Sequence, residues 1–292
     1  MTTGRQAPTA SVLTPIGENT RASTLLVFVP GLAGNARQWE LVLPKLDGLP
    51  VDRAHGAPLL PHPVFRGGKV RAPELARAYA DELRAEGRRN VIMVAHSVGT
   101  FVALNVASIA PEIVKEVIAV NGGLMIPAKF LDHPWQTFRE RPRDCLNALR
   151  LFALVGTPAL PAVKRAIANS ERLSRAVFGG LVSDAALNSV ERRRILAGEG
   201  GEPRAMQTLW YNRHYWQEFR GYRNEIKSRC LFLAGDRDPI ARVNDTEHMA
   251  ALLQNAEVKT ETMKGVGHAG PVEDPEYVSA QIRESLAALA LG

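Results

Sequence analysis

Ala95-His96-Ser97-Val98-Gly99, within the run NVIMVAHSVGTFVALNVA, places a serine between small residues where an apolar strand gives way to a helical pattern. A sharp strand-to-helix turn of this kind, written G-x-S-x-G, lifts the hydroxyl clear of the sheet and turns the backbone N–H behind it toward a bound carbonyl. Strand and helix backbones approach closely in such a turn, so both flanks need small side chains. Ala95 and Gly99 supply them, with alanine standing where the pattern has its first glycine. A serine that merely N-caps a helix after a buried strand looks the same over five residues. Its meaning depends on partners further along the chain.

A serine hydroxyl is a weak nucleophile near neutral pH and acts through a base in hydrogen-bond reach, itself oriented by a carboxylate. Two acids, Asp236 and Asp238, follow the apolar run CLFLAG in the turn GDRDPIA. Asp238 is the better orienting acid, because it lies on the far side of the turn from Gly235 and next to Pro239, whereas Asp236 suits turn formation. Thirty residues on, GVGHAGPVEDPE holds His268 in a glycine-rich loop between a strand and a helix. His96 adjoins the serine, but successive residues of a sharp turn point different ways, so it packs or lines the site. His55, His62, His133, His214 and His248 lack ligand-type spacing, and no metal is expected. A tetrahedral intermediate also needs donors aimed at its oxyanion. The backbone N–H of Val98 is one candidate, and that of Leu32 in PGLAG the other, with Gly31 and Gly34 permitting the turn.

The elements that must carry these residues alternate along the chain, as βα units around a largely parallel sheet do. TLLVFV at 24–29 is the first strong strand, followed by a turn at Pro30 and a helical spacing of Trp39, Val42, Leu43 and Leu46. A short strand is expected around 49–51 and a Gly-, Pro- and His-rich loop over 55–68. RAPELARAYADELRAEG reads as an amphipathic helix, with Pro73 near its start and Gly87 at its end. EVIAV at 116–120 is the next strand after the serine. From Asn121 to about Glu225 no strand pattern appears, and prolines and Gly-Gly pairs break the chain into short helical pieces. Strand and helix then alternate again through CLFLAG, 241–254, 257–263 and 275–290. The expected organisation is a core of residues 1–123 and 226–292 with an inserted helical lid over 124–225.

Composition sets the outer bounds. A chain of 292 residues can bury a large core, and 46% hydrophobic with 23% charged residues is ordinary for a globular protein. No apolar run is long enough to span a bilayer. The polar start, MTTGRQAPTASVLTPIGENT, lacks the apolar centre of a signal peptide and reads as a loose leader, which points to a cytoplasmic protein. Cys145 and Cys230 read as unpaired buried thiols. The net charge of +6 comes from arginines spread among acids, without zinc-knuckle spacing or interleaved aromatics, so nucleic acid is not an expected partner.

Serine, acid, histidine and oxyanion loop, in that chain order, resemble the α/β-hydrolase superfamily over residues 24–290 outside the lid. The resemblance implies a mostly parallel sheet flanked by helices, with Ser97 as nucleophile, Asp238 as acid, His268 as base, Leu32 and Val98 as oxyanion hole, and no cofactor. Some members carry the acid one strand earlier, where this chain has Asn121 in VNGG. Three departures stand out: Pro30-Gly31 replaces the common His-Gly, Ala95 replaces glycine, and DRAHGAP is only a remnant of the D-x-x-G-x-G-x-S segment. A serine at the turn excludes the relatives that open epoxides or displace halide through an aspartate. Acyl transfer follows, on a small or medium hydrophobic ester, thioester or lactone. C–C bond hydrolysis, lyase or acyltransferase chemistry with the same triad, and a ligand receptor with an inert triad, are the alternatives. Apolar residues of 149–168, with Phe130, Trp135, Phe138 and Phe178, either pack the lid or line an acyl tunnel. Gly31, His96, Asn121, Trp135 and Phe138 are candidate substrate contacts. Oligomeric state has no signature.

Overall fold

The computed structural model describes residues 11–18, 20–31, 36–59, 62, 65, 70–123, 130, 133–146, 160–198, 208 and 211–291. Seven strands form one sheet: β1 (Leu13–Pro15), β2 (Thr24–Val29), β3 (Asp52–Gly56), β4 (Asn90–His96), β5 (Val114–Val120), β6 (Arg229–Gly235) and β7 (Val258–Met263). Their order is β1-β3-β2-β4-β5-β6-β7, and every pair is parallel except β1 with β3.

The central strands are apolar on both faces because both are covered. Val27, Met93, Val117, Ala119 and Phe232 face one core, with Leu75 and Tyr79 of α1 (Ala72–Ala85) and Phe101 of α2 (Gly99–Ile109). Their neighbours Leu26, Phe28, Ile92, Val94, Ile118 and Leu233 face the other, with Trp39, Val278 and Ile282. One-residue alternation along a strand thus feeds two separate cores.

Two expectations shift here. The strand expected at 49–51 lies at Asp52–Gly56, so it takes in the start of the 55–68 stretch read as loop. It was concealed because Asp52 is a buried charge, held by Arg88 at 2.7 Å and by the Thr20 amide and hydroxyl at 2.9 and 2.8 Å. The polar N-terminal stretch is also not all loose leader, since Leu13 pairs with Gly56 to add β1.

Between β5 and β6 the described residues form helices joined by turns, with one isolated bridge between Gly179 and Val182. The helices include α3 (Pro134–Glu140), α4 (Leu160–Asn169), α5 (Glu171–Phe178), α6 (Asp184–Asn188), α7 (Val190–Ala197) and α8 (Tyr215–Tyr222). Ser170, Ser183 and Ser189 N-cap α5, α6 and α7, each accepting from a backbone N–H three residues on. Ile167, Ala168, Phe178, Leu187 and Ala197 make a small core within this insert. α8 lays Tyr215 and Phe219 edge-on against Phe101 of α2, at 4.5 and 5.9 Å between ring centres. Ion pairs fasten the other end: Arg141 reaches Asp245 at 2.7 Å, and Arg242 reaches Asp144. Asp245 lies on α9 (Val243–Ala251), after which β7, α10 (Gly270–Glu273) and α11 (Pro275–Leu291) complete the chain. Cys145 and Cys230 are free and buried. Among the described residues no helix is long and apolar enough to cross a membrane.

Candidate active site

β4 ends at His96, and Ser97 turns the chain into α2 with φ +51°, a left-handed backbone that a non-glycine residue adopts only at a cost of roughly 1–2 kcal/mol. Two things hold it there. The Ser97 N–H donates to Val120 O of the adjoining strand at 3.0 Å, and Gly99 lets the helix start against the end of β2. A Cβ on Gly99 would sit 2.5 Å from the carbonyl oxygen of Pro30, so glycine is required at that crossing. Val98 is the N-cap of α2, and its N–H is among the amides that a helix start leaves without an intrahelical partner.

The turn brings Ser97 Oγ within 3.0 Å of His268 Nε2. His268 Nδ1 lies 2.9 and 3.1 Å from the two carboxylate oxygens of Asp238. Asp238 Oδ1 also accepts from the N–H groups of Ile240 and Ala241 at 2.8 and 3.0 Å, and the residue is 3% exposed. A carboxylate ringed by donors accepts from Nδ1–H. That leaves Nε2 as the acceptor for the Ser97 hydroxyl.

Asn121 ends β5 as Ser97 ends β4, again with a positive φ of +52°, and its N–H donates to Leu233 O at 2.8 Å. Its side chain is fully buried behind the acid rather than facing a cleft. Nδ2 donates to Asp238 Oδ2 at 2.9 Å and to Gly267 O at 2.8 Å, while Oδ1 accepts from the Gly270 N–H at 3.0 Å. His96 leans the other way: its Nε2 donates to the His268 carbonyl at 2.7 Å, with the two rings 5.3 Å apart. Its Nδ1 is sealed from solvent without a partner. Burial, with His268 nearby, pushes the His96 imidazole down to about 4, so it is neutral at pH 7.

The sequence candidates thus fall into groups. Ser97, His268 and Asp238 are joined by hydrogen bonds, and Asn121 and His96 brace them. Gly31 lies against the turn, where a Cβ would come 2.8 Å from His96 Nδ1 and 3.1 Å from Ser97 Cβ. Leu32 lies outside the described residues, as does 149–159 of the apolar lid segment. Trp135 and Phe138 are exposed on α3 and share an open cleft with Gln136, Arg139 and Pro142; Ser97, Asp238 and His268 do not line it. Asp236 is placed away from the histidine, its Oδ1 accepting from the Gly265 N–H at 2.7 Å in an exposed turn. Sequence reasoning missed Glu273, which bonds the amides on both sides of His268. Its only signal was an acid five residues after the histidine, on a short helix. Among the described residues no cluster of three or more His, Cys, Asp or Glu side chains is arranged to hold a metal.

A seven-stranded, mostly parallel sheet with a serine at the end of β4 and a histidine after β7 is the frame of the α/β hydrolases. The sequence profile of the Alpha/beta hydrolase family matches residues 26–281, and the chain belongs to that family. Solved structures share the fold. MenH from S. aureus is 16% identical, with a TM-score of 0.66 over 94% of this chain and 98% of that one. A thermophilic esterase from Thermogutta terrifontis is 16% identical, with a TM-score of 0.59 over 94% and 92%. Est816, described as an N-acyl homoserine lactone degrading enzyme, is 15% identical, with a TM-score of 0.61 over 93% and 95%. No curated protein sequence matches the chain.

Proposed function

We propose that the protein is a serine hydrolase of small or medium hydrophobic carboxylic esters, thioesters or lactones, working through an acyl-enzyme on Ser97. The observation that carries this reading is the continuous relay from Ser97 Oγ to His268 Nε2 at 3.0 Å and from His268 Nδ1 to Asp238 at 2.9 Å. In the first half-reaction His268 takes the hydroxyl proton as Ser97 Oγ bonds to the acyl carbon. The developing oxyanion takes hydrogen bonds from the N–H groups of Val98 and Leu32. The same imidazole returns the proton to the leaving alcohol, thiol or hydroxyl as the C–O or C–S bond breaks. Water then repeats the sequence on the acyl-enzyme and frees the acid and Ser97. Asp238 holds the Nδ1–H tautomer throughout and stabilises the transient imidazolium. Residues 124–225 act as the lid over the acyl group. The esterase and the lactone-degrading enzyme of the same fold fit this substrate class.

A panel of chromogenic acyl esters of graded chain length, run on wild type and Ser97→Ala, tests the reading. Turnover peaking at short or medium chains and vanishing in Ser97→Ala is expected. Equal turnover by both proteins refutes the acyl-enzyme. Labelling of Ser97 by a fluorophosphonate without turnover of any ester retains the nucleophile and refutes the substrate class.

A further inference from the structure

His268 sits on a segment whose backbone polar groups can be followed one by one, and the partners come from four separate parts of the chain. The N–H of Gly267 donates to Glu273 Oε2 at 2.9 Å and that of Ala269 to Glu273 Oε1, also at 2.9 Å. The N–H of His268 itself donates to the carbonyl of Leu181 at 2.7 Å, and the next, of Gly270, to Asn121 Oδ1. The carbonyls of Gly267 and His268 are taken by Asn121 and His96. Leu181 belongs to the helical insert. A second bond runs the same way, since Glu273 Oε2 also accepts from the N–H of Ser183 at 2.6 Å. The insert backbone comes so close to this segment that a Cβ on Gly267 would lie 2.3 Å from Leu181 O.

We propose that Glu273 is a positioning residue for the base: its buried carboxylate straps the segment carrying His268 to the turn 181–183 of the insert, so that the insert is part of what aims the imidazole at Ser97. The proposal rests on the reading of Ser97 and His268 as nucleophile and base. Glu273 acts through the backbone alone and contributes no proton. One carboxylate collects three N–H donors, two flanking the histidine and one from the insert, and a buried carboxylate is among the few side chains that can satisfy three at once. The Leu181 carbonyl closes the frame by taking the remaining amide between them. An insert displaced at 181–183 withdraws the Leu181 carbonyl from the His268 amide and the Ser183 donor from the Glu273 carboxylate.

The strap is tested with a saturable fluorophosphonate, whose maximal inactivation rate reads the alignment of His268 with Ser97 and whose half-saturating concentration reads binding. In Glu273→Gln one amide oxygen serves two donors on the Oε2 side, and the NH2 is left facing the Ala269 N–H. Measured against Ser183→Ala, which loses the α6 cap alone, Ser183→Pro deletes the donor on the insert side at a backbone φ of −67°, which proline shares. Glu273→Gln and Ser183→Pro are each expected to lose maximal rate, on the order of 10-fold for Glu273→Gln, with half-saturation unchanged within about twofold, as displacement of a base without loss of binding produces. A folded Glu273→Gln or Ser183→Pro protein with the wild-type maximal rate overturns the strap. So does hydrogen exchange in the wild-type protein in which the Ser183 amide opens independently of those of Gly267 and Ala269. Labelling that persists in Ser97→Ala overturns instead the reading on which the strap rests.

Discussion

Replacing Asp238 by asparagine changes one atom, and the surrounding donors determine which. Oδ1 accepts from two backbone amides, Ile240 and Ala241, whereas Oδ2 accepts from the Asn121 side chain, with His268 Nδ1 lying between them. An NH2 group at the Oδ1 position opposes two immovable donors, so the amide oxygen stays there and NH2 takes the place of Oδ2. Asn121 cannot rotate to meet it, because its own oxygen holds the Gly270 N–H and its nitrogen the Gly267 carbonyl. The new NH2 therefore donates to His268 Nδ1, which moves the imidazole proton to Nε2 and takes the base away from Ser97. A histidine held in the wrong tautomer by an asparagine costs about 10⁴ in rate. The donor-against-donor contact at Asn121 costs a further 1–3 kcal/mol or so in stability. The assay is the rate of fluorophosphonate capture by Ser97 at pH 7.5, with thermal melts alongside. Asp236→Asn, in its exposed turn, is expected within about twofold of wild type. Capture by Asp238→Asn within tenfold of wild type refutes both the role of Asp238 and the reasoning from its donors.

Asn121→Ala strands a buried carbonyl and a buried amide and leaves alanine at a left-handed φ, so an equilibrium loss of about 3 kcal/mol is expected from urea titration; a loss below about 1 kcal/mol shows the side chain to be dispensable. His96 makes stability pH-dependent. Its folded value of about 4 lies below the ordinary 6.5, so the unfolded chain binds the extra proton. The contribution is complete above pH 6.5 and is lost as pH falls from there toward 4. Between pH 7.5 and 4.5 wild type is expected to lose about 2 kcal/mol more than His96→Gln, measured as paired urea midpoints, and parallel curves for the two proteins contradict it.

What the sequence made legible follows from where information is local. Strands β2, β4 and β6, and β5 beyond Lys115 and Glu116, carry apolar runs because both faces are buried, and the Ser97 turn announces itself through the small residues that a close strand-helix crossing needs. β3 was displaced because Asp52 reads as a loop residue until Arg88 and Thr20, far off in the chain, neutralise it. β1 is three residues long and exists only as the antiparallel partner of β3. In the site, chain order suggested Ser97, Asp238 and His268, since each follows a strand. The supporting amides and carboxylates were hidden by distance: Asn121 read as a substrate contact until its neighbours, 117 and 146 positions away, filled its valences. Glu273 was invisible because only the folded segment shows which backbone donors lack partners.

Ser97 and Asn121 leave adjacent parallel strands with the same left-handed step, and each continues the sheet's hydrogen bonding by one rung, to Val120 and to Leu233. Their separation is therefore a lattice spacing of the sheet, whereas His268 hangs from a loop that the insert helps to suspend. For anyone building chimaeras, this divides the molecule into unequal transferable parts. The proposed strap predicts that residues 181–183 must travel together with 267–273 when the helices between β5 and β6 are exchanged, and that a graft separating the two keeps Ser97 in place and misplaces His268.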